Sequence, residues 1–395
     1  MRNIYTGIDF GSDSIKIVVA EEVNGKYYVL HSNSTKSAGV RRGVVSDYDD
    51  AVNSLKNALD EFYKTSGILI KKAIITIPSN DRRLQVVDGS IGIYKDKING
   101  EDVISVLQEA TINKIYSDEE LVSIIPITFG LDGDRSVNNP NGLSSSVLKV
   151  KALLATAPKE NIYPFLKIME ECSVEVVDIT FNSIGDFCEC SNPDMSDNIG
   201  AIINIGHDKT DISVFNKGII IKNSIINLGS KNIDKDISYI FGTNLDNSRE
   251  IKEKFAVSSL KYADSNEIME IKNNDDKKVT INQVETSEVV EARVVELLKM
   301  VKSEFNILTK RKISYIIVIG GVSEMIGFGY LVENILGVNA YVYNVSTMGI
   351  RSNKYISAMG IIKYYHDKLM LREKNDCCFS EEDIFNFMKN KKYAK

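Results

Sequence analysis

A chain of 395 residues, 43% apolar and 26% charged with only six prolines, is long enough to bury two domain cores, and its net charge of −6 offers no basic footprint for nucleic acid. Five cysteines (Cys172, Cys188, Cys190, Cys377, Cys378) lack metal-site spacing and suit a reducing cytosol, while three scattered histidines argue against a histidine metal centre. The N-terminus runs directly into a strand pattern with no secretory leader, and no apolar run approaches the roughly 18–20 residues needed to span a bilayer.

Asn3–Phe10 reads as the first strand, followed by strand patterns at Tyr27–His31 and Ala73–Pro78. Between them, Val52, Leu55, Leu59 and Phe62 share one face of a helix over Asp49–Lys64, which predicts an α/β sheet. From Asp81 to Ala157 short alternating runs (Gln85–Tyr94, Leu121–Gly130, Val147–Thr156) surround one helix near Gly100–Asn113, the pattern of a small α+β insertion. A helix after Pro158 and a strand at Val174–Ile179 resume the first texture, and Cys190–Asn198 reads as a linker. Residues 229–304 are polar and read as largely helical, with a charged loop at Lys272–Lys278 and a long helix at Ser287–Leu308. Tyr315–Gly320 is a short apolar strand ending in Gly320-Gly321, and Tyr355–Tyr365 a further apolar helix.

One segment occurs twice. Ile8, Gly11, Asp13, Ile17 and Val19 recur as Ile203, Gly206, Asp208, Ile212 and Val214, each copy reading as strand, glycine turn and return strand. Such a repeat predicts two similar half-molecules, each offering a polar turn to one phosphate clamp. In the first turn, Asp9 ends an apolar strand where folding needs no carboxylate, and suits a hydrated Mg²⁺; Gly11 and Ser12 offer a backbone N–H and a hydroxyl, and Lys16 a cation. The second turn holds Gly206, Asp208, Thr210 and Asp211, with Asn204 where the first has Asp9. Both segments also fit ordinary hairpins whose turns do no chemistry. Gly320-Gly321-Val322-Ser323-Glu324 follows a buried-type strand, where glycines let backbone approach a flat ring or sugar.

Taken together, this order of motifs resembles the actin-like ATPase superfamily, and within it the FtsA-like cell-division proteins, over nearly the whole chain. Supporting segments are 39–45, 139–144, 211–218 and 355–361, and the position of the insertion is the most family-specific point. The resemblance implies a two-lobe, ribonuclease H-like α/β fold: a first lobe of residues 1–80, 158–196 and 355–372, an insertion at 81–157, a second-lobe core of 197–228 and 305–354, an outer subdomain at 229–304, and a linker at 373–383. It implies ATP and Mg²⁺ as cofactors. The nucleotide set would be Gly11, Ser12, Asp13, Lys16, Gly206, Asp208, Thr210, Lys252, Gly320, Gly321 and Ser323, with Asp9 (through water) and Asp211 as metal candidates.

The implied partners are further copies in a filament, the C-terminal peptide of tubulin-like FtsZ, other division proteins and an anionic membrane surface, at the cytoplasmic face of the division site. Several positions depart from the family pattern: Asn204 stands for Asp, His207 and Lys209 for small residues, Ser230 for the second glycine of a pair, and Arg249 for an acid. A neutral amide at 204 removes a carboxylate that orders metal or water, so the expectation is an ATP-holding protein with slow or absent hydrolysis. Near the end, Ile384, Phe385, Phe387 and Met388, followed by Lys389 and Lys392, fit an amphipathic membrane helix at 384–395; Lys391 and Lys395 interrupt its apolar face, and a plain basic tail fits as well. Two other readings use similar turns: a pilus-assembly actin homologue, and a sugar or acetate kinase.

Overall fold

The structure, a computed structural model, describes residues 2–380 and 383. The chain divides into two units: residues to Glu189 with Ser346–Ile350 and the segment from Ser357, and Cys190–Val345 with Arg351–Ile356.

In the first unit, β1 (Asn3–Phe10), β2 (Ser14–Val23) and β3 (Lys26–Lys36) form an antiparallel meander. The short strands β4 (Val40–Arg41) and β5 (Val44–Val45) pair with each other before helix α1 (Tyr48–Ser66). Asp47 caps α1 by accepting from the Asp50 N–H, and Gly67 ends it in the left-handed conformation at φ 71°. Val52, Leu55, Ala58 and Phe62 are its buried stripe, each large apolar member contributing about 1.5–3 kcal/mol. Strand β6 (Lys72–Ile77) then lies parallel to β1.

Here the chain leaves that sheet. Strand β7 (Arg83–Gly92), helix α2 (Gly100–Thr111), and strands β8 (Glu119–Leu131), β9 (Arg135–Val137) and β10 (Val147–Pro158) build a separate antiparallel sheet, ordered β7-β10-β8-β9, with its own core. Asn99 and Asp102 form a capping box at the start of α2, and Val103, Val106, Leu107 and Ala110 bury its inner face. Helix α3 (Lys159–Glu171) leads back to β11 (Glu175–Phe181), parallel to β6, and α4 (Asn182–Cys190) follows. The first sheet thus runs β11-β6-β1-β2-β3.

The second unit repeats that plan. Strands β12 (Ile199–Ile205), β13 (Thr210–Asn216) and β14 (Ile219–Ile226) form an antiparallel meander. Helices α5 (Ser230–Phe241) and α6 (Leu245–Lys254), a hairpin of β15 (Ile268–Lys272) and β16 (Lys278–Asn282), and helix α7 (Gln283–Leu308) intervene. Strand β17 (Tyr315–Ile319) is parallel to β12, and after α8 (Phe328–Leu336) strand β18 (Ala340–Val342) is parallel to β17. Its sheet order, β14-β13-β12-β17-β18, is the first sheet's order strand for strand. The halves predicted from the repeat are therefore topological duplicates.

Two local expectations change. The charged stretch Lys272–Lys278 is the turn of a β-hairpin inside a region expected to be largely helical, and Asn273 Oδ1 organises it by accepting from the N–H of Asp275 and Lys277. Its strands are only five residues each and mostly exposed, with Ile271 and Ile281 their buried members, so the signal is short beside that of the flanking helices. Within Cys190–Asn198, residues Pro193–Asp197 form a short 3-10 turn capped by Asn192, with Met195 buried.

Helix α9 (Ile356–Leu371) closes onto the first unit so tightly that a Cβ on Gly360 would stand 1.8 Å from the Gly185 carbonyl oxygen. Beyond it the chain stays pinned. Glu373, at φ 48°, accepts through its carboxylate from the N–H of Gly100 (2.9 Å), at the start of α2, and Asn141 Nδ2 donates to the Leu371 carbonyl (2.9 Å). Cys378 donates its N–H to Ile4 O (3.1 Å) and is buried, Phe379 packs on the first core, and Lys71 pairs with Asp383 (2.7 Å). The candidate membrane residues Ile384, Phe385, Phe387, Met388, Lys389 and Lys392 lie outside the described residues.

Arg83 ties the inserted sheet together. Its guanidinium donates to Glu119 through Nε (3.0 Å) and Nη2 (2.7 Å), to Gln85 and to the Lys114 carbonyl, and Glu119 also accepts from Thr156. The Arg83 hydrogen bond holds the Glu119 carboxyl below its ordinary range. Arg83→Ala is expected to cost about 2 kcal/mol by urea unfolding. Because the folded pKa is depressed, the pair's stabilisation is complete above the ordinary carboxylate pKa and is lost as pH falls through the lower folded value. The variant should therefore show a shallower loss of stability on acidification; an unchanged acid slope would contradict the assignment.

Candidate functional site

Both polar turns sit where an apolar strand ends. In the first unit, β1 and β2 pair with Asp9 opposite Lys16. Lys16 Nζ lies 3.3 Å from Asp9 Oδ2, and Thr76, at the end of the neighbouring parallel strand β6, donates its hydroxyl to Asp9 Oδ1 (2.8 Å). The Gly11 N–H closes the turn on Ser14 O (3.2 Å), and a Cβ at Gly11 would fall 2.4 Å from Lys16 Nζ. Gly11, Ser12, Asp13 and Lys16 thus form one partly exposed turn around a carboxylate. Thr76 was not singled out from sequence; its signal was a lone hydroxyl in an otherwise apolar strand.

In the second unit the matching turn is built differently. The Gly206 N–H donates to Lys209 O (2.9 Å), and the carbonyls of Gly206 and His207 accept from Ser230 and Lys231 (2.9 Å each), the first residues of α5. The helix start therefore seats directly on the turn, and Gly229 is required there, since a Cβ would stand 2.4 Å from the His207 oxygen. Thr210 is buried and donates to Leu228 O (2.9 Å), while Asp208 pairs with Lys231 (3.5 Å). Asp211 lies opposite Asn204 on paired strands; its Oδ1 accepts from Ser213 (3.1 Å), and its buried Oδ2 has no hydrogen-bond partner among the described residues.

Gly320 and Gly321 continue β17. Gly320 adopts φ 107°, and a Cβ there would strike Ile205 O at 2.2 Å, whereas a Cβ at the exposed Gly321 would meet nothing within 4 Å. Ser323 turns its hydroxyl back to Gly320 O (2.7 Å) and accepts from Asn353 Nδ2 (3.0 Å), and Glu324 accepts from the Asn353 N–H and from Ser352. Sequence reading missed Asn353, which reaches this turn from a distant segment.

Lys252 connects to the second turn through Asp234, whose carboxyl feels the charge of His207. Its ammonium is buried at 2.6 Å from Asp234 and joins α6 to α5. Burial pushes the Asp234 carboxyl up, opposed by the Lys252 charge. Arg249, where the family pattern has an acid, pairs with Glu253 (2.8 Å). The described residues contain no cluster of three or more His, Cys, Asp or Glu able to hold a metal by themselves.

Comparison with known proteins follows the same outline. Residues 201–360 match the family model described as "Cell division protein FtsA", and residues 80–156 match "SHS2 domain inserted in FTSA". The cell division protein FtsA of Bacillus subtilis is 26% identical over 368 residues, 92% of this chain and 83% of that protein. Among solved structures, a chain of the PilM–PilN type IV pilus biogenesis complex superposes with a TM-score of 0.61 at 14% identity, covering 91% of this chain and 97% of that one. MreB5 of Spiroplasma citri bound to AMPPNP gives 0.58 at 11% identity, with 93% and 98% covered. At such identities the two structures establish a shared actin-like fold.

The two glycines make a direct contrast. Gly320→Ala should lose about 3 kcal/mol or more in urea unfolding, from the positive φ and the clash. Gly321→Ala should stay within about 0.5 kcal/mol of the parent. Equal losses would mean that the Gly321 backbone is not the open surface described.

Proposed function

Because this chain belongs to the FtsA family of cell-division proteins, we propose that it binds ATP and uses the bound state to assemble with copies of itself, carrying FtsZ filaments to the cytoplasmic face of the membrane at the division site. The observation that carries this reading is the duplicated hairpin. Two sheets of one topology each end their central strand in a glycine turn, and the parallel neighbour β17 ends in Gly320-Gly321.

The residues fit the nucleotide at three points. Gly321 leaves open space that any Cβ would take from a flat ring or sugar. Gly11, Ser12 and Asp13 present a turn beside a lysine, suited to phosphate oxygens. The partnerless Oδ2 of Asp211 suits a hydrated cation, as does Asp9. ATP with Mg²⁺ supplies an activated γ-phosphoryl group; this chain's part is to hold it. Lys16 and the backbone of the two turns bind, and Asn204 offers an uncharged amide beside Asp211. Lys252, engaged with Asp234, acts by fixing α5 and α6, and α5 in turn holds the second turn. Family membership favours division over pilus assembly and over a kinase.

Turnover should therefore sit far below the ordinary enzymatic range of roughly 1–1000 per second. Titration of a fluorescent ATP analogue should give saturable, Mg²⁺-dependent binding, and phosphate release should stay near background. Asn204→Asp should raise phosphate release about tenfold or more with little change in affinity. A parent protein hydrolysing ATP at ordinary rates would overturn the holding role.

The FtsZ C-terminal peptide is assigned to the outer subdomain, residues 229–304, and the membrane contact to residues 384–395. No described helix is long and apolar enough to cross a membrane. Co-sedimentation with FtsZ peptide and with phosphatidylglycerol vesicles, with and without ATP, should capture the protein in both cases. Phe385→Asp with Phe387→Asp should lower vesicle binding and leave peptide binding intact. Binding to neither would leave only the family and the fold.

A further inference from the structure

The last turns of α7 and the loop after it carry a charge pattern unlike the rest of this acidic chain. Between 299 and 312 every exposed charged side chain is positive: Lys299, Lys302, Lys310, Arg311 and Lys312. The one acid in the stretch, Glu304, is half-buried and accepts from Ser224 on β14 (2.8 Å). One strand position away on the same face of β14, Lys222 adds another exposed cation. The nearest upstream acid, Glu296, is held by Arg293. Asp194 and Asp197 bound the patch on the far side of Ser314, which reaches Asn198 (3.4 Å).

Large apolar side chains stand among these cations. Met300 and Ile307, two helical turns apart and so on one face, are 37% and 71% exposed. Lys302, roughly 160° round the helix from Met300, points away from this face and donates to Ile335 O at the end of α8 (2.6 Å). Lysines and arginines with isolated protruding apolar side chains on an exposed helix face, rather than in a groove, match the chemistry of an anionic lipid surface: charge draws the face down and the apolar tips enter the acyl boundary.

We propose that this face of the second unit is a membrane-contact surface for anionic lipid. It rests on the membrane reading above but uses different residues, so its contribution to binding is read separately from that of the C-terminal segment.

The test uses the full chain on vesicles of phosphatidylcholine with and without 30 mol% phosphatidylglycerol (~30% being a common anionic content that gives a strongly negative surface). Lys310→Gln with Arg311→Gln and Lys312→Gln should weaken binding to anionic vesicles roughly tenfold or more, with an unchanged thermal melt, and Ile307→Ser should weaken it roughly threefold. In the Phe385→Asp, Phe387→Asp background, residual binding should persist, be abolished by about 0.5 M salt, and vanish when the three glutamines are added. The tail reading fails if the two Phe substitutions change nothing. The face fails if the three glutamines change nothing in either background, or if the tail-substituted chain retains no binding at all. Equal binding to polyglutamate, insensitive to Ile307→Ser, would identify an acidic-polypeptide site instead and also overturn it.

Discussion

A strand buried on both faces has little room for polar side chains except at its ends, and that constraint organises this molecule. β1 and β12 each lie between an antiparallel and a parallel neighbour and are buried and mostly apolar along their length, Thr6 being a buried polar residue within β1. Their chemistry is displaced to the carboxyl ends, where Asp9 meets Lys16 and Thr76, and where Asn204 stands opposite Asp211. Since β6 and β17 run parallel beside them, those strands deliver Thr76 and Gly320 to the same ends. Open α/β sheets bind ligands there for the same reason.

The duplicate turns share a backbone plan and differ in what steadies them. Both close on a backbone bond, Gly11 to Ser14 and Gly206 to Lys209. The first is steadied further by side chains, a carboxylate, an ammonium and a hydroxyl. The second is steadied by the start of α5, seated on the turn's carbonyls, and by the Asp208–Lys231 pair. The departures noted in the sequence therefore accompany a different means of support.

What was legible in the sequence was what repeats locally. The twin hairpins, the buried stripe of α1 and the glycine pair after β17 are periodic or adjacent signals, and they led to the sheet plan of both units. What escaped is long-range or polar. Thr76 meets Asp9 across many residues, Asn353 meets Ser323 from another segment, and Asp234 meets Lys252 across two helices; none leaves a trace in the local pattern. The hairpin of β15 and β16 was hidden because its strands are only five residues long, and the alternation of Val279 and Ile281 is too short to stand out between two helical segments. The segment after α9 looked like a polar linker because its anchors, Cys378 on Ile4 and Glu373 on Gly100, are single bonds to distant backbone.

Those anchors turn the end of the chain into a path for mechanical load. A pull on the C-terminus reaches the Lys71–Asp383 pair first, then the Cys378–Ile4 bond on β1, and then Glu373 at the start of α2. Each is a single bond or ion pair to a different part of the first unit, and the middle one is reinforced by burial of Cys378 and packing of Phe379 on the core. The left-handed conformation of Glu373, which costs roughly 1–2 kcal/mol in a residue with a side chain, is offset only while its carboxylate caps α2. Drawing Glu373 away would remove one of the ties between α2 and the segment after α9, while the Asn141–Leu371 bond and the packing of Leu371 on the inserted core would still hold that sheet to the first unit.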